Sequence, residues 1–256
     1  MTVNQMLLEA YLRDLRLPTF VQYHQTFAQD AAQNQQSYQD YLFALARQEA
    51  AERDRKREQQ RVRAAKFPVR KELSDFNFAL IPTLNHTHLF ELSGGAYLEK
   101  AESIILVGNP GLGKTHVAIG LAMAACRQFH RVRFYNVAAL VNDLITAQQN
   151  HLLDKFINTA LRHKLIVLDE LGFIPFSNLG AHLIFQFCSA LHERVSMIVT
   201  TNLKFADWTQ VFGDEKLTLA LLDRLTFKAH IIEFVGQSYR FRQRLQQDGP
   251  APEPTD

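Results

Sequence analysis

Cysteine is nearly absent from this chain. Its 256 residues hold two, Cys126 and Cys188, each inside an apolar helical pattern and neither at the spacing of a metal site, so buried, reduced thiols are expected. The histidines show no ligand spacing either, and none is assigned to a metal. Long hydrophobic runs are also missing: no stretch reaches the roughly 20 apolar residues that cross a bilayer. The first residues, MTVNQMLLEAYLRDLRLP, carry Glu9, Arg13 and Asp14 within their apolar pattern, unlike a secretory leader. A cytoplasmic protein without a membrane partner is therefore expected. No internal repeat is visible.

An excess of one charge is lacking overall, since the net charge is +2. Its distribution is uneven. Residues 51–71 carry nine basic side chains (Arg53, Arg55, Lys56, Arg57, Arg61, Arg63, Lys66, Arg70, Lys71) against Glu52, Asp54 and Glu58. That local excess points to an anionic partner, most plausibly nucleic acid. A merely solvated helix usually mixes signs. No aromatic interleaves Arg53 to Lys66, so contact with duplex phosphates through Arg53, Arg55, Lys56, Arg57, Arg61, Arg63 and Lys66 is favoured over stacking on single-stranded bases.

The length suits one large α/β domain with a smaller appendage. Residues 2–64 read as helical, with Leu7, Leu8, Tyr11, Leu12 and Leu15 at helical spacing, Pro18 ending that pattern, and a second helix from about Ser37 to Ala65. Residues 66–102 read as a connecting region of turns and short helices. From Ser103 on, strands expected over 103–107, 132–137, 165–169, 197–201 and 230–235 alternate with helices over 114–128, 138–147, 152–163, 180–193 and 215–225. Short apolar strands separated by helices imply a parallel sheet covered on both faces. The proline-rich tail, 249–256, is expected to be disordered.

Chemistry enters at Ser103–His116, a buried strand followed by G-x-x-x-x-G-K-T and an Ala/Leu-rich helix. Gly108, Gly111 and Gly113 allow backbone N–H groups to turn towards a polyphosphate, and Lys114 adds a point charge. The Thr115 hydroxyl can ligate Mg²⁺, while the helix start presents its positive dipole end. The strand Leu165–Asp169 ends in Asp169-Glu170, placing Asp169 to hold the Mg²⁺ hydration shell and Glu170 to polarise an attacking water. Asn202, just past the strand at 197–201, either orients that water or simply forms a turn. Arg224, in Leu221-Leu-Asp223-Arg224-Leu225, either pairs with Asp223 or reaches the nucleotide of a neighbouring subunit as an arginine finger.

Taken in order, GNPGLGKTH, LIVLDELGF, TTN, FADW, VFGD, LLDRL and GQSYRFR resemble the IstB-type transposition ATPases of IS21 insertion sequences, members of the AAA+ superfamily related to DnaC-type helicase loaders. The resemblance implies an α/β AAA+ P-loop fold: a five-stranded parallel sheet flanked by helices, plus a small all-helical N-terminal domain. It divides the chain into a DNA-binding and assembly domain (1–66), an ATPase domain (67–248) and the tail (249–256). It implies ATP bound by Gly108, Asn109, Pro110, Gly111, Leu112, Gly113, Lys114, Thr115 and His116, with Mg²⁺ at Thr115 and Asp169. Glu170, Asn202 and Arg224 become catalytic, and Arg240 a second sensor approaching the nucleotide. Further expectations are Mg²⁺-dependent, DNA-stimulated ATP hydrolysis, a homo-oligomer on deformed double-stranded DNA, and a cognate transposase as partner. A helicase loader built on the same core is the alternative, as is a DNA-binding scaffold that holds ATP without turning it over. The loop Gly172–Ser177 and the cluster Arg240, Arg242 and Arg244 are further candidates for contact with DNA, the loop equally for a subunit interface.

Overall fold

The computed structural model describes residues 3–236 and 238, and the chain divides into two compact units between Gln60 and Arg61. Arg240, Arg242, Arg244 and the tail 249–256 lie outside the described residues. The first unit contains α1 (Val3–Asp14), α2 (Pro18–Gln33) and most of α3 (Tyr38–Ala65). The helix expected from about Ser37 to Ala65 is α3; α2 is a separate helix that the apolar pattern had not singled out. Pro18 explains its start, because proline at the first helical position has its φ already set and lacks only a donor that would be orphaned there. The next amide, that of Thr19, is capped from a distance. It donates to Glu49 Oε2 of α3 at 2.9 Å, placing a carboxylate at the positive end of α2. The Arg53 guanidinium completes the knot with Nε 2.7 Å from Glu49 Oε1 and Nη2 donating to the Arg16 carbonyl at 2.6 Å. Burial alone would raise the Glu49 carboxyl, but bonds from Arg53 and Thr19 outweigh it and hold it below its ordinary value.

The division falls one turn before α3 ends, because Val62 and Ala65 are buried in the core of the second unit. That unit continues through short 3₁₀ turns at Leu73–Asp75 and Phe78–Leu80, then α4 (His86–Ser93) and α5 (Ala96–Glu99). The alternating part follows as β1 (Ser103–Gly108), α6 (Lys114–Arg127), β2 (Val132–Asn136), α7 (Val137–Gln149), α8 (Leu153–Ala160), β3 (Leu165–Asp169), α9 (Asn178–Leu191), β4 (Ser196–Thr201), α10 (Thr209–Phe212), α11 (Glu215–Thr226) and β5 (Ala229–Phe234). Each strand begins and ends within one residue of its sequence-based expectation. All pairings are parallel, in the order β2-β3-β4-β1-β5.

The two-residue period of the strands builds two cores. Ile104, Leu106, Leu165, Val167 and Ile198 face α4, α5 and α6. Ile105, Ile166, Leu168, Met197 and Val199 face α7 to α11. Cys126 and Cys188 are buried in these layers, and burial pushes the Cys188 thiol up to about 12. Because every strand runs the same way, the ends of β1, β3 and β4 meet at one edge, where ligands bind in open α/β sheets.

Candidate nucleotide site

At that edge β1 gives way to the loop 109–113, and α6 begins at Lys114. Gly113 stands at the N-cap with φ +86° and no side-chain cap, so the first amides of α6 remain available to an anion. A side chain there is excluded twice. Its φ is left-handed, and a Cβ would sit 2.5 Å from the Phe76 ring. Lys114, though only 9% exposed, keeps its ammonium at the loop, where Nζ donates to the carbonyls of Gly108 at 2.6 Å and Asn109 at 2.9 Å. Leu112 is different from its loop neighbours: its side chain is buried in the α6-side core.

The acids of β3 are held by a short chain of hydroxyls. Thr115 Oγ1 donates to Asp169 Oδ1 at 2.8 Å, and Thr200 Oγ1 of β4 donates to the same oxygen at 2.7 Å. Thr200 Oγ1 in turn accepts the Glu170 amide at 2.9 Å. Burial raises the Asp169 carboxyl above its ordinary value. The Thr200 and Thr115 bonds oppose this, the Glu170 charge adds to it, and Lys114 lowers it again. Glu170 has a left-handed backbone, φ +63°, a conformation that costs a non-glycine residue about 1–3 kcal/mol. The turn is pinned by the Leu171 amide, which donates to the Thr200 carbonyl at 2.9 Å. The Glu170 carboxylate accepts a bond from Asn136 Nδ2, at the end of β2, at 3.0 Å. Asn136 did not stand out in the sequence, and Thr200 did so only as part of the TTN run, without a role of its own. The parallel register alone brings them here, pairing Asn136 with Asp169 and Leu168 with Val199.

Thr115, Glu170 and Thr200 line a cavity of about 660 Å³ that also includes Asn202, Phe173 and residues 110–116. Its other wall is Val69–Lys71, Asp75–Asn77, Leu80 and Ile81, a stretch the sequence marked only as connection. His116 ties that wall to α6. Its Nε2 lies 2.8 Å from the Glu72 carbonyl, and its ring meets Phe76 edge-on at 5.4 Å. Gly120 lets Leu73 press against α6, where a Cβ would lie 2.9 Å from the Leu73 amide. Glu72 also pairs with Arg127. Arg70 and Lys71, counted in the basic run, thus sit at this cavity and not on α3.

The remaining candidates lie elsewhere. Arg224 donates to the Ala220 carbonyl at 2.7 Å and lies 4.9 Å from the Phe185 ring; it is not among the groups lining the cavity of its own chain. Of the basic residues on α3, Arg53, Arg55 and Arg57 pair with Glu49, Glu52 and Asp54 of the same helix. Lys56 and Arg63 are exposed, Arg61 is half-buried, and Lys66 follows the helix with φ +58°. In the loop after Glu170, Phe173 and Ile174 are more than half exposed.

The geometry has counterparts. The chain is 32% identical over 237 residues to an ATP-binding protein of insertion sequence IS21 from Pseudomonas aeruginosa, covering 93% of this chain and 89% of that one. It is 31% identical over 239 residues to an IS5376 ATP-binding protein from Geobacillus stearothermophilus, covering 93% and 95%. Among solved structures, AMPPCP-bound DnaA from Aquifex aeolicus matches 69% of this chain and 55% of its own with TM-score 0.54 and 17% identity. The DnaC helicase loader matches 59% and 88% with TM-score 0.50 and 21% identity, and both share the AAA+ fold. The IstB-like ATP-binding protein model matches residues 10–247, and with the phosphate loop, acid pair and strand order in place, the chain belongs to that family.

Proposed function

We propose that this protein is a Mg²⁺-dependent, DNA-stimulated ATPase that assembles as a homo-oligomer on double-stranded DNA, deforms the target and delivers it to a cognate transposase, with hydrolysis releasing the assembly. The observation that carries the reading is the Asp169–Thr200–Glu170 chain set against Lys114 and the uncapped start of α6. A polyphosphate would meet the amides of α6, and Lys114 would exchange its carbonyl partners for phosphate oxygens.

The residues fit Mg²⁺, since a hydroxyl and a buried carboxylate bonded to each other are hard oxygen ligands. When bound, the ion neutralises charge on the phosphate oxygens. Its double charge would also reverse the raised proton affinity of Asp169. Glu170 polarises the attacking water, and Asn136 holds its carboxylate to one side in the arrangement described here. Asn202 lines the same cavity, within reach of the water or the γ-phosphate. Arg224, outside its own cavity, serves a neighbouring subunit in trans, and Arg240 would approach the nucleotide from beyond the described residues. Such an interface makes assembly depend on the γ-phosphate, so hydrolysis loosens it.

Two further features support the DNA and transposition roles: the basic excess on α3, and relatives that come from insertion sequences. Electron microscopy of the protein with duplex DNA and a non-hydrolysable ATP analogue tests the reading. Ordered oligomers on bent DNA are expected with the analogue and not without nucleotide. Absence of any ordered assembly would refute the proposal.

A further inference from the structure

At the opposite end of the sheet from the nucleotide, the starts of β2 and β3 gather basic residues that the sequence keeps apart. Arg131 and Arg133 flank the first residue of β2, which is an edge strand. Arg162, His163 and Lys164 lead into β3. The two segments are stitched together, since the amides of Lys164 and Leu165 both donate to the Arg131 carbonyl, at 2.8 and 3.3 Å. Beside them, Arg133, Lys155 of α8 and His163 line a cleft of about 560 Å³ floored by Tyr135 and Phe156.

Arg133 is incompletely matched. Its guanidinium lies 5.2 Å from the Tyr135 ring and hydrogen-bonds the Tyr135 side chain, and its Nη1 donates to the Ala64 carbonyl at 3.4 Å. Its Nε is buried with no hydrogen-bond partner. The Ala64 contact brings in the last turn of α3, which carries Arg61 and Arg63 and is followed by Lys66. Opposing charge is sparse: Asp143 lines the cleft, Asp154 lies on α8, and Glu99 is taken by Lys164 at 3.5 Å. Arg131, Lys155 and Arg162 are exposed.

We infer that this surface, Arg131, Arg133, Lys155 and Arg162 together with the end of α3, is a phosphate-binding track of the ATPase unit for the backbone of duplex DNA; it rests on the proposed DNA-binding function. Cations spread over strand starts, a helix and a helix end suit a succession of phosphates better than one carboxylate, and such contacts position a duplex without reading its sequence. The track lies at the strand starts, so it is separate from the ATP site at the strand ends.

The test is fluorescence anisotropy of the full chain with a labelled 40-base-pair duplex and a non-hydrolysable ATP analogue, across a salt series. The variants are the triple Arg131→Gln/Lys155→Gln/Arg162→Gln and the single Arg162→Gln. Each lost phosphate contact reduces the slope of log K against log salt by about 0.9. The triple variant should therefore lose between two and three from the slope and at least about tenfold in affinity, and the single variant about 0.9. DNA-free ATP turnover and nucleotide affinity should stay at wild-type values, which also reports an intact fold. Wild-type slope and affinity in both variants, with weakened binding in Arg55→Gln/Lys56→Gln, overturns the track and leaves the DNA reading standing. No duplex binding by the wild type removes both. Unchanged DNA binding with lost capture of the cognate transposase assigns the surface to an acidic protein partner and overturns the inference.

Discussion

Replacing Thr200 by valine isolates the hydroxyl that joins the two acids of the site. Thr200 is 1% exposed, so its surroundings are fixed and valine matches its shape. The substitution removes a 2.7 Å donor from the Asp169 carboxylate and a 2.9 Å acceptor from the Glu170 amide. A hydrogen bond to a charged group is worth about 1.5–3 kcal/mol, and an unsatisfied buried amide costs about 1–3 kcal/mol. Partial exposure of Glu170 reduces the second figure, so the total is about 3 kcal/mol. In a unit of this size each kcal/mol moves Tm by roughly 2–4 °C, which makes the expected loss about 6–12 °C. Thr200→Ser keeps the hydroxyl and sheds one methyl, about 1 kcal/mol, so it should lose far less.

The pH dependence has a definite sign. Burial already raises the Asp169 carboxyl, and removing the Thr200 bond raises it further. An acid whose folded pKa is raised destabilises the fold at neutral pH and ceases to do so as falling pH protonates it. The gap between Thr200→Val and wild type should therefore narrow from pH 7 towards pH 5. Thermal melts of the three proteins at both pH values measure this. Equal melting of the valine and serine variants, or a gap that widens in acid, would refute the reasoning.

Other perturbations reach different joints of the structure. Gly113→Ala should lose nucleotide affinity by at least about tenfold, because a Cβ meets the Phe76 ring and the residue is left-handed; titration with a fluorescent ATP analogue checks it. Glu49→Gln should destabilise the N-terminal unit by about 1–3 kcal/mol, read as loss of helical signal on heating. The Glu49 carboxyl is held low, so its stabilisation is present above the ordinary carboxylate range near 4.3 and disappears as pH falls through the lower folded value. The difference from Glu49→Gln should shrink accordingly below about pH 4. Arg224→Ala should bind nucleotide normally yet turn it over about 10³-fold more slowly. Mixing it with Lys114→Ala should restore some turnover if the arginine acts across an interface, and an inactive mixture would argue against action in trans.

The parts of the fold that were legible in the sequence are those where burial leaves little choice. β1, β3 and β4 are sandwiched between helical layers, so Ile104–Leu106, Leu165–Leu168 and Met197–Val199 read as apolar runs ending in the residues of the site. The phosphate loop and the Asp169-Glu170 pair are local in sequence and could be read directly. What depends on folding was hidden. Thr200 and Asn136 acquire meaning only through strand register. The wall from Val69 to Ile81 reads as connection until Gly120, His116 and Gly113 fasten it to α6. Helix α2 carries Phe20, Tyr23, Phe27 and Ala31 at helical spacing yet was not separated from its neighbours, and its start is secured by Glu49, thirty residues away. Three arginines of the basic helix are matched by acids of that same helix, so bare charge counting overstates what α3 offers an anion. Arg131, Lys155 and Arg162 are isolated in sequence and become one surface only when β2, β3 and α8 assemble.

The central claim is that ATP, held at Lys114 and Thr115 and cleaved with the help of Glu170, sets the lifetime of an assembly on DNA. Glu170→Gln tests it most directly, by single-turnover hydrolysis and by the dissociation rate of the protein from labelled duplex in the presence of ATP. The account predicts ATP and DNA affinities like the wild type, turnover reduced by at least about 100-fold, and complexes that persist while wild-type complexes dissolve. Normal turnover in this variant, or wild-type dissociation despite blocked hydrolysis, would contradict it.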